Sequence, residues 1–155
     1  MRKDATVAAA PKGCTSFKLR QLTRRVSQHY DRVVAASGLK TTQYSLLSQI
    51  EHLGPARPSD LAAAMAMDTS TLTRNLQPLV AGGLLALEPG PDARSRLVRA
   101  TPAGREKRQE AQRRWRVAQE SLNERLGAER VVALHALLDQ CQDLLADLPE
   151  GEMHD

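Results

Sequence analysis

The sequence predicts a mainly α-helical fold with a small β hairpin, and three observations point to it. Between Arg57 and Thr101, two short helical patterns are followed by a basic hairpin. Longer helical stripes flank that stretch on both sides. The final stripe repeats its apolar residues every three or four positions, the spacing of a heptad seam. A chain of 155 residues is long enough for one domain with a real core.

The elements follow in order. Residues 1–12 carry charge but lack the hydrophobic stretch of a signal peptide, and read as a disordered lead-in. Leu19, Leu22, Val26, Tyr30 and Val33 form a helical stripe from about Thr15 to Ala36, closed by Gly38. Gln43 to Leu53 forms a second helix, with Leu46, Leu47, Ile50 and Leu53 inward, before Gly54-Pro55 breaks the chain. Pro58-Ser59-Asp60 opens a short helix, with Ser59 as N-cap, Asp60 at the positive end of the dipole, and Leu61, Ala64 and Met65 as its buried stripe. Asp68 caps the next helix, whose apolar face is Leu72, Leu76, Leu79 and Val80. Pro78 removes a backbone hydrogen bond and predicts a bend or a tightened last turn. Gly82-Gly83 ends this helix, because glycine takes the left-handed cap without strain. Leu84 to Glu88 reads as a strand, Pro89-Gly90-Pro91-Asp92 as a turn, and Arg96 to Ala100 as the returning strand. Thr101 as N-cap and Pro102 at the first helical position start a long polar helix to about Arg125. Beyond Gly127 the last helix carries Val131, Leu134, Leu138, Cys141, Leu145 and Leu148, with Leu137 and Leu144 widening the seam. So wide a seam is hard to bury within one small domain. A partner helix from a second copy explains it better than the alternative, an intrachain bundle.

The middle of the chain is therefore a winged helix-turn-helix. Its second helix turns Ser70, Thr71, Thr73, Arg74 and Gln77 outward, side chains suited to base edges and phosphates. At the hairpin tip, Arg94 and Arg96 have the reach and charge for a minor groove, with Asp92 expected to orient Arg94 by an ion pair. Arg57, Ser59, Thr42 and Gln43 lie near helix starts and are candidate phosphate contacts.

Charge supports this reading. The formal net charge is +4, and basic residues dominate from Arg94 to Arg116, where only Glu106 and Glu110 oppose them. From Asp139 onward every charged residue is acidic, a solvated tail. Aromatic residues make up 3%, which argues against RNA recognition by stacking. None of the four histidines pairs with carboxylates or cysteines at metal-ligand or catalytic spacing. With no glycine-rich phosphate loop either, neither an enzyme nor a cofactor nor a metal site is expected. No apolar run suits a membrane span. The expected location is the cytoplasm, with the two cysteines reduced.

The run Asp92-Ala93-Arg94-Ser95-Arg96-Leu97-Val98-Arg99-Ala100-Thr101 resembles the wing signature of the MarR (multiple antibiotic resistance regulator) family of bacterial transcription regulators. That signature is Asp, any, Arg, three of any type, Val, any, Leu, Thr; Ala100 stands where Leu is usual. Met67 to Leu76 is similar to the family's recognition helix, and the order of elements matches from about Cys14 to Leu148. The resemblance implies a homodimer held by residues 13–36 and 102–148 and a DNA-binding lobe at 41–101; the charge pattern sets residues 149–155 apart as an acidic tail. It also implies a repressor bound to double-stranded DNA at an inverted repeat, its two recognition helices in successive major grooves about 34–36 Å apart. Members of the family often bind small aromatic acids between the dimer helices and the lobe; candidate lining residues here are Arg24, His29, Tyr30, Tyr44 and Trp115. Each has an ordinary packing role as its alternative. Some relatives instead sense peroxide through a cysteine near the first helix. Cys14, beside Lys12 and Lys18, is the candidate for that alternative mode. Cys141 either approaches it across the dimer or serves as a small hydrophobe in the seam.

Overall fold

The computed structural model of the chain describes residues 11–92 and 94–146. Helix α1 (Thr15–Val34) runs into a short 3-10 turn (Ala35–Ser37), followed by α2 (Thr41–Leu53), α3 (Pro58–Ala64) and α4 (Thr69–Ala81). Strands β1 (Leu85–Pro89) and β2 (Arg96–Ala100) form an antiparallel hairpin, and α5 (Pro102–Leu126) and α6 (Ala128–Ala146) complete the order.

One apolar cluster organises α2 to α5. Leu46, Leu47 and Ile50 of α2 meet Leu61 of α3, Leu72, Leu76 and Leu79 of α4, Leu85 and Val98 of the hairpin, and Ala111 of α5. Each fully buried leucine contributes about 1.5–3 kcal/mol. Leu53, expected inward, is exposed, because it is the last residue of α2 and lies beyond the edge of this cluster. On α1 the stripe enters the core at Tyr30 and Val34, whereas Val33 is half-buried.

Local chemistry sets most boundaries. Gly38 closes the first helical segment at φ 79°. The backbone N–H of Thr41 donates to Asp31 Oδ1 at 2.9 Å, joining the start of α2 to α1. The start of α3 departs from expectation: Arg57, not Ser59, is the N-cap and Pro58 is the first helical residue. Proline suits that position because its fixed φ is helical and its missing N–H is not needed there. In so short a helix the buried pair is Leu61 and Ala62, which turns Ala64 to solvent. The turn into α4 places Ala66 at φ 49°, a left-handed conformation that disfavours any side chain with a Cβ.

Pro78 does not break α4. It sits on the exposed side, and the helix continues to Ala81. The end is tight. Leu84 N–H reaches back to the Leu79 carbonyl (2.9 Å) and Gly83 N–H to that of Val80 (3.0 Å), with Gly83 at φ 72°. This is the Schellman arrangement. The first strand begins at Leu85 and includes Pro89, which occupies the terminal rung opposite Arg96, where proline is tolerated. A third segment joins the hairpin: Ala56, in the linker before α3, exchanges backbone hydrogen bonds with Val98 at 3.2 and 2.8 Å.

The hairpin and α5 meet at close quarters. Thr101 Oγ1 accepts from Gly104 N–H (3.0 Å), capping α5, and donates to the Gly83 carbonyl (2.7 Å). A Cβ on Gly104 would lie 2.0 Å from the Leu84 carbonyl oxygen, so only glycine lets α5 approach β1 this closely. By contrast α6 has no buried residue, and Phe17, Leu19 and Leu22 of α1 are also exposed. Among the described residues no helix is long and apolar enough to cross a membrane.

Two substitutions of opposite sign test this packing by urea denaturation. Gly104→Ala should lower the unfolding free energy by about 1–3 kcal/mol through overpacking. Ala66→Gly should raise it by about 1 kcal/mol by relieving the left-handed strain. An unchanged midpoint for Gly104→Ala contradicts the close approach.

Candidate nucleic-acid interface

Helix α4 is held by its apolar face, so its polar face is fixed in direction. Leu72, Leu76 and Leu79 are buried, while Ser70, Thr73, Arg74 and Gln77 are exposed and, with Thr69, line an open depression of about 550 Å³. Thr71 lies half-buried at the flank. Asp68 organises the first turn. Its Oδ1 accepts from Ser70 Oγ at 2.6 Å and from Thr71 N–H at 2.7 Å; its Oδ2 accepts from Thr71 Oγ1 at 2.7 Å. These bonds, the Ser70 hydroxyl's first among them, hold the Asp68 carboxyl well below the usual carboxylate range. One turn on, Thr73 Oγ1 donates to the Thr69 carbonyl at 2.8 Å.

The wing tip is ordered by Asp92, in a way that corrects the expected ion pair with Arg94. Asp92 Oδ1 accepts from the backbone N–H groups of Arg94 (3.2 Å) and Ser95 (2.7 Å). Its Oδ2 accepts from Arg57 Nη2 at 3.3 Å. A short acidic side chain closes most readily on the backbone two and three residues ahead, so the Arg94 side chain is released rather than held. Arg57 thereby links the start of α3 to the wing. Arg94 and Arg96 are exposed and make no ion pair among the described residues, whereas Arg99 is engaged by Glu88 on the opposite strand.

The remaining candidates near helix starts differ among themselves. Ser59 and Thr42 are exposed, in the first turns of α3 and α2. Gln43 is half-buried and its Oε1 accepts from Lys40 N–H at 2.9 Å, so its carbonyl is committed to capping α2.

Four of the five candidate effector-lining residues come together. Trp115 of α5 lies 6.2 Å from Tyr30 of α1 and 6.1 Å from Tyr44 of α2, measured between ring centroids. His29 meets Tyr30 edge-on at 6.0 Å. His29 Nε2 donates to the Ala118 carbonyl (2.9 Å), and the Tyr30 hydroxyl donates to Gln119. Burial pushes the Tyr30 phenol up from its ordinary value. Arg24 is exposed and forms no hydrogen bond among the described residues. Nothing in the residue spacing points to Gln119, which three helices, the hairpin and 89 positions in all separate from Tyr30.

Cys14 is exposed at the N-cap of α1, and Cys141 is exposed on α6. Along the α6 seam, Val131 and Leu134 are half-buried and Leu138 and Leu145 are exposed; Leu148 lies outside the described residues. Among the described residues no cluster of three or more His, Cys, Asp or Glu is placed to hold a metal ion.

A helix pair, a tight glycine-ended turn and a basic hairpin bonded to the linker before the pair define a winged helix-turn-helix. Its relatives are specific. The sequence profile of the MarR family matches residues 37–95. A Mycobacterium tuberculosis transcriptional regulator, MosR, solved in complex with DNA, is 34% identical over 88% of this chain and 100% of its own, with a TM-score of 0.74. A probable transcriptional regulator from Pseudomonas aeruginosa is 27% identical over 83% of this chain and 96% of its own, at a TM-score of 0.75. Bordetella bronchiseptica BpsR, whose DNA binding is regulated by 6-hydroxynicotinic acid, is 26% identical over 82% and 97%, at a TM-score of 0.73. No curated protein matches the sequence significantly. The chain belongs to the MarR family of transcription regulators.

The wing turn carries a pH prediction. The hydrogen bond with Ser95, then the Arg94 N–H and the Arg57 charge, hold the Asp92 carboxyl below its ordinary value. A depressed carboxyl stabilises the folded form above the unfolded pKa of about 3.9, and that stabilisation is lost as pH falls through the folded value. The amide resonances of Arg94 and Ser95 should hold steady from neutral pH down to about 4 and shift together below it. The same transition in an Asp92→Asn variant contradicts the assignment.

Proposed function

We propose that this chain is a repressor that binds an inverted-repeat operator as a homodimer. In this reading residues 41–101 are the DNA-binding lobe, and residues 13–36 and 102–148 join the two copies. The observation that carries it is the outward row Ser70, Arg74 and Gln77, backed by the buried row Leu72, Leu76 and Leu79. A rigid polar helix face of this kind enters a major groove and hydrogen-bonds base edges. Arg94, free at the wing tip, enters the adjacent minor groove, with Arg96 on its flanking phosphates. Arg57, Ser59, Thr42 and Gln43 lie at helix starts, where backbone N–H groups and cationic side chains fix the register on the phosphates.

Dimerisation follows from what the chain leaves uncovered. Leu138 and Leu145 of α6 continue the half-buried Val131 and Leu134, and α1 exposes Phe17, Leu19 and Leu22. A second copy would bury both faces and set the recognition helices about 34–36 Å apart. The effector reading rests on the aromatic group at the junction of α1, α2 and α5, which joins the dimer helices to the lobe. A small aromatic acid inserted among His29, Tyr30, Tyr44 and Trp115, with Arg24 nearby on α1, would move α5 against α2 and change the spacing of the two α4 helices. It acts only through different affinity for the two arrangements. BpsR, regulated by an aromatic acid, supports that ligand class. The chain would act in the cytoplasm, beside the DNA it regulates.

A second reading makes Cys14 a peroxide-sensing thiol. Its exposure at the α1 N-cap supports it, since oxidant can reach the sulfur and α1 lies in the proposed dimer interface. Loss of DNA binding on peroxide treatment, absent from Cys14→Ser, separates this mode from ligand control.

The DNA upstream of the protein's own gene, titrated with excess random DNA at two salt concentrations, tests the main reading. Saturable binding should survive the competitor, with a log–log salt slope of about 0.9 per neutralised phosphate. Arg74→Ala should weaken it by about 1–3 kcal/mol and relax selectivity at one base pair. Binding that disappears into the competitor contradicts the proposal.

A further inference from the structure

The hydroxyl groups on the reading face of α4 have already committed their hydrogens. A serine or threonine hydroxyl has one hydrogen to donate and two lone pairs to accept with. Ser70 gives its hydrogen to Asp68 Oδ1 (2.6 Å), Thr71 gives its own to Asp68 Oδ2 (2.7 Å), and Thr73 gives its own to the Thr69 carbonyl (2.8 Å). The two that meet Asp68 bind a full negative charge, and charge-assisted bonds of this kind are about twice as strong as neutral ones. A phosphate or a guanine edge must outbid that carboxylate to capture either hydrogen.

We propose that Asp68 sets the base preference of the first turn of α4, making Ser70 and Thr71 acceptors that read the exocyclic amines of adenine or cytosine. This rests on the DNA-binding reading above and specifies what that interface selects. In the major groove, adenine presents its N6 amine and cytosine its N4 amine, whereas guanine N7 and O6 and thymine O4 only accept. An acceptor-only hydroxyl therefore distinguishes the two strands of a base pair: it takes the amine-bearing partner and leaves the carbonyl partner without a donor. The same geometry argues against phosphate as the target of these hydroxyls, since an acceptor facing an anion gains nothing and Asp68 repels it. Asp68 is thus a positioning residue that acts through its neighbours. Donors on this face come instead from Arg74 and Gln77, both exposed one and two turns further along.

The test selects preferred duplexes from a random DNA pool with the full chain and with two variants. Ser70→Ala identifies the base pair that Ser70 reads, by removing the acceptor there. Asp68→Gly releases both hydroxyl hydrogens while keeping a residue that caps helices at a cost of only a few tenths of a kcal/mol; its melting temperature, measured alongside, reports that α4 still forms. The wild-type protein should enrich adenine or cytosine on one strand at the pair found with Ser70→Ala, by about fivefold over guanine or thymine. Asp68→Gly should admit guanine or thymine on that strand nearly equally, leaving the pairs read by Arg74 and Gln77 unchanged. Three results overturn the inference while leaving the regulator reading intact: a wild-type site that Ser70→Ala does not alter, guanine or thymine preferred by the wild type at that pair, or the same preference kept by folded Asp68→Gly. If the wild-type protein enriches no sequence at all, both this inference and the reading beneath it fall.

Discussion

A single apolar cluster is shared by every element of the reading lobe, and the rest of the molecule depends on it. Leu72, Leu76 and Leu79 of α4, Leu85 and Val98 of the hairpin, and Ala111 of α5 enter the same interior. The recognition helix therefore cannot rotate without disturbing the wing, and neither shifts independently of the long helix. Close-packed interiors deform by discrete repacking rather than smoothly. Two polar links reinforce the union. Thr101 bridges the end of α4 to the start of α5, and Arg57 ties the start of α3 to the wing tip through Asp92. The reading surface is thus one rigid body carried on α5.

The second half of α5 and all of α6 lie outside that cluster. Helix α6 has 19 residues and none is buried, so its packing against the rest of the chain is slight. Isolated helices are marginal in water, so a second copy packed over this one would stabilise it. The aromatic group around Trp115 sits where the two regions meet, touching α1, α2 and α5 at once. In the proposed effector mode, a change in how the uncovered helices pack would be passed through Tyr30, Tyr44 and Trp115 to the lobe. A ligand at that junction and an oxidised thiol at the start of α1 would both act on the same mechanical link, from opposite ends.

Most of the fold was legible because its signals are local. Asp68 ahead of Thr71, Thr101-Pro102, the glycines after Ala81 and the stripe Leu72-Leu76-Leu79 each state their structure within a few residues. The outward row of α4 follows from the same periodicity. What the sequence does not show are contacts between distant segments: Ala56 against Val98, Gly104 against the Leu84 carbonyl, Gln119 beneath Tyr30. No spacing encodes them. Asp92 illustrates the difference. Its place in the wing signature is visible, but Arg57, its ion-pair partner, is 35 positions away, and the expected pairing with Arg94 gives way to that distant cation and to the turn's own backbone. Competition within a short range misleads too, as where Pro58 displaces Ser59 by taking the first helical position itself.

If the uncovered faces of α1 and α6 are buried against a second copy, the two reading lobes act together. Sedimentation equilibrium of the full chain, at concentrations from nanomolar to micromolar, measures this directly. The proposed dimer gives a species of twice the 17.0 kDa chain mass that persists to the lowest concentrations. A monomer of 17.0 kDa throughout, with α6 still helical, would contradict it.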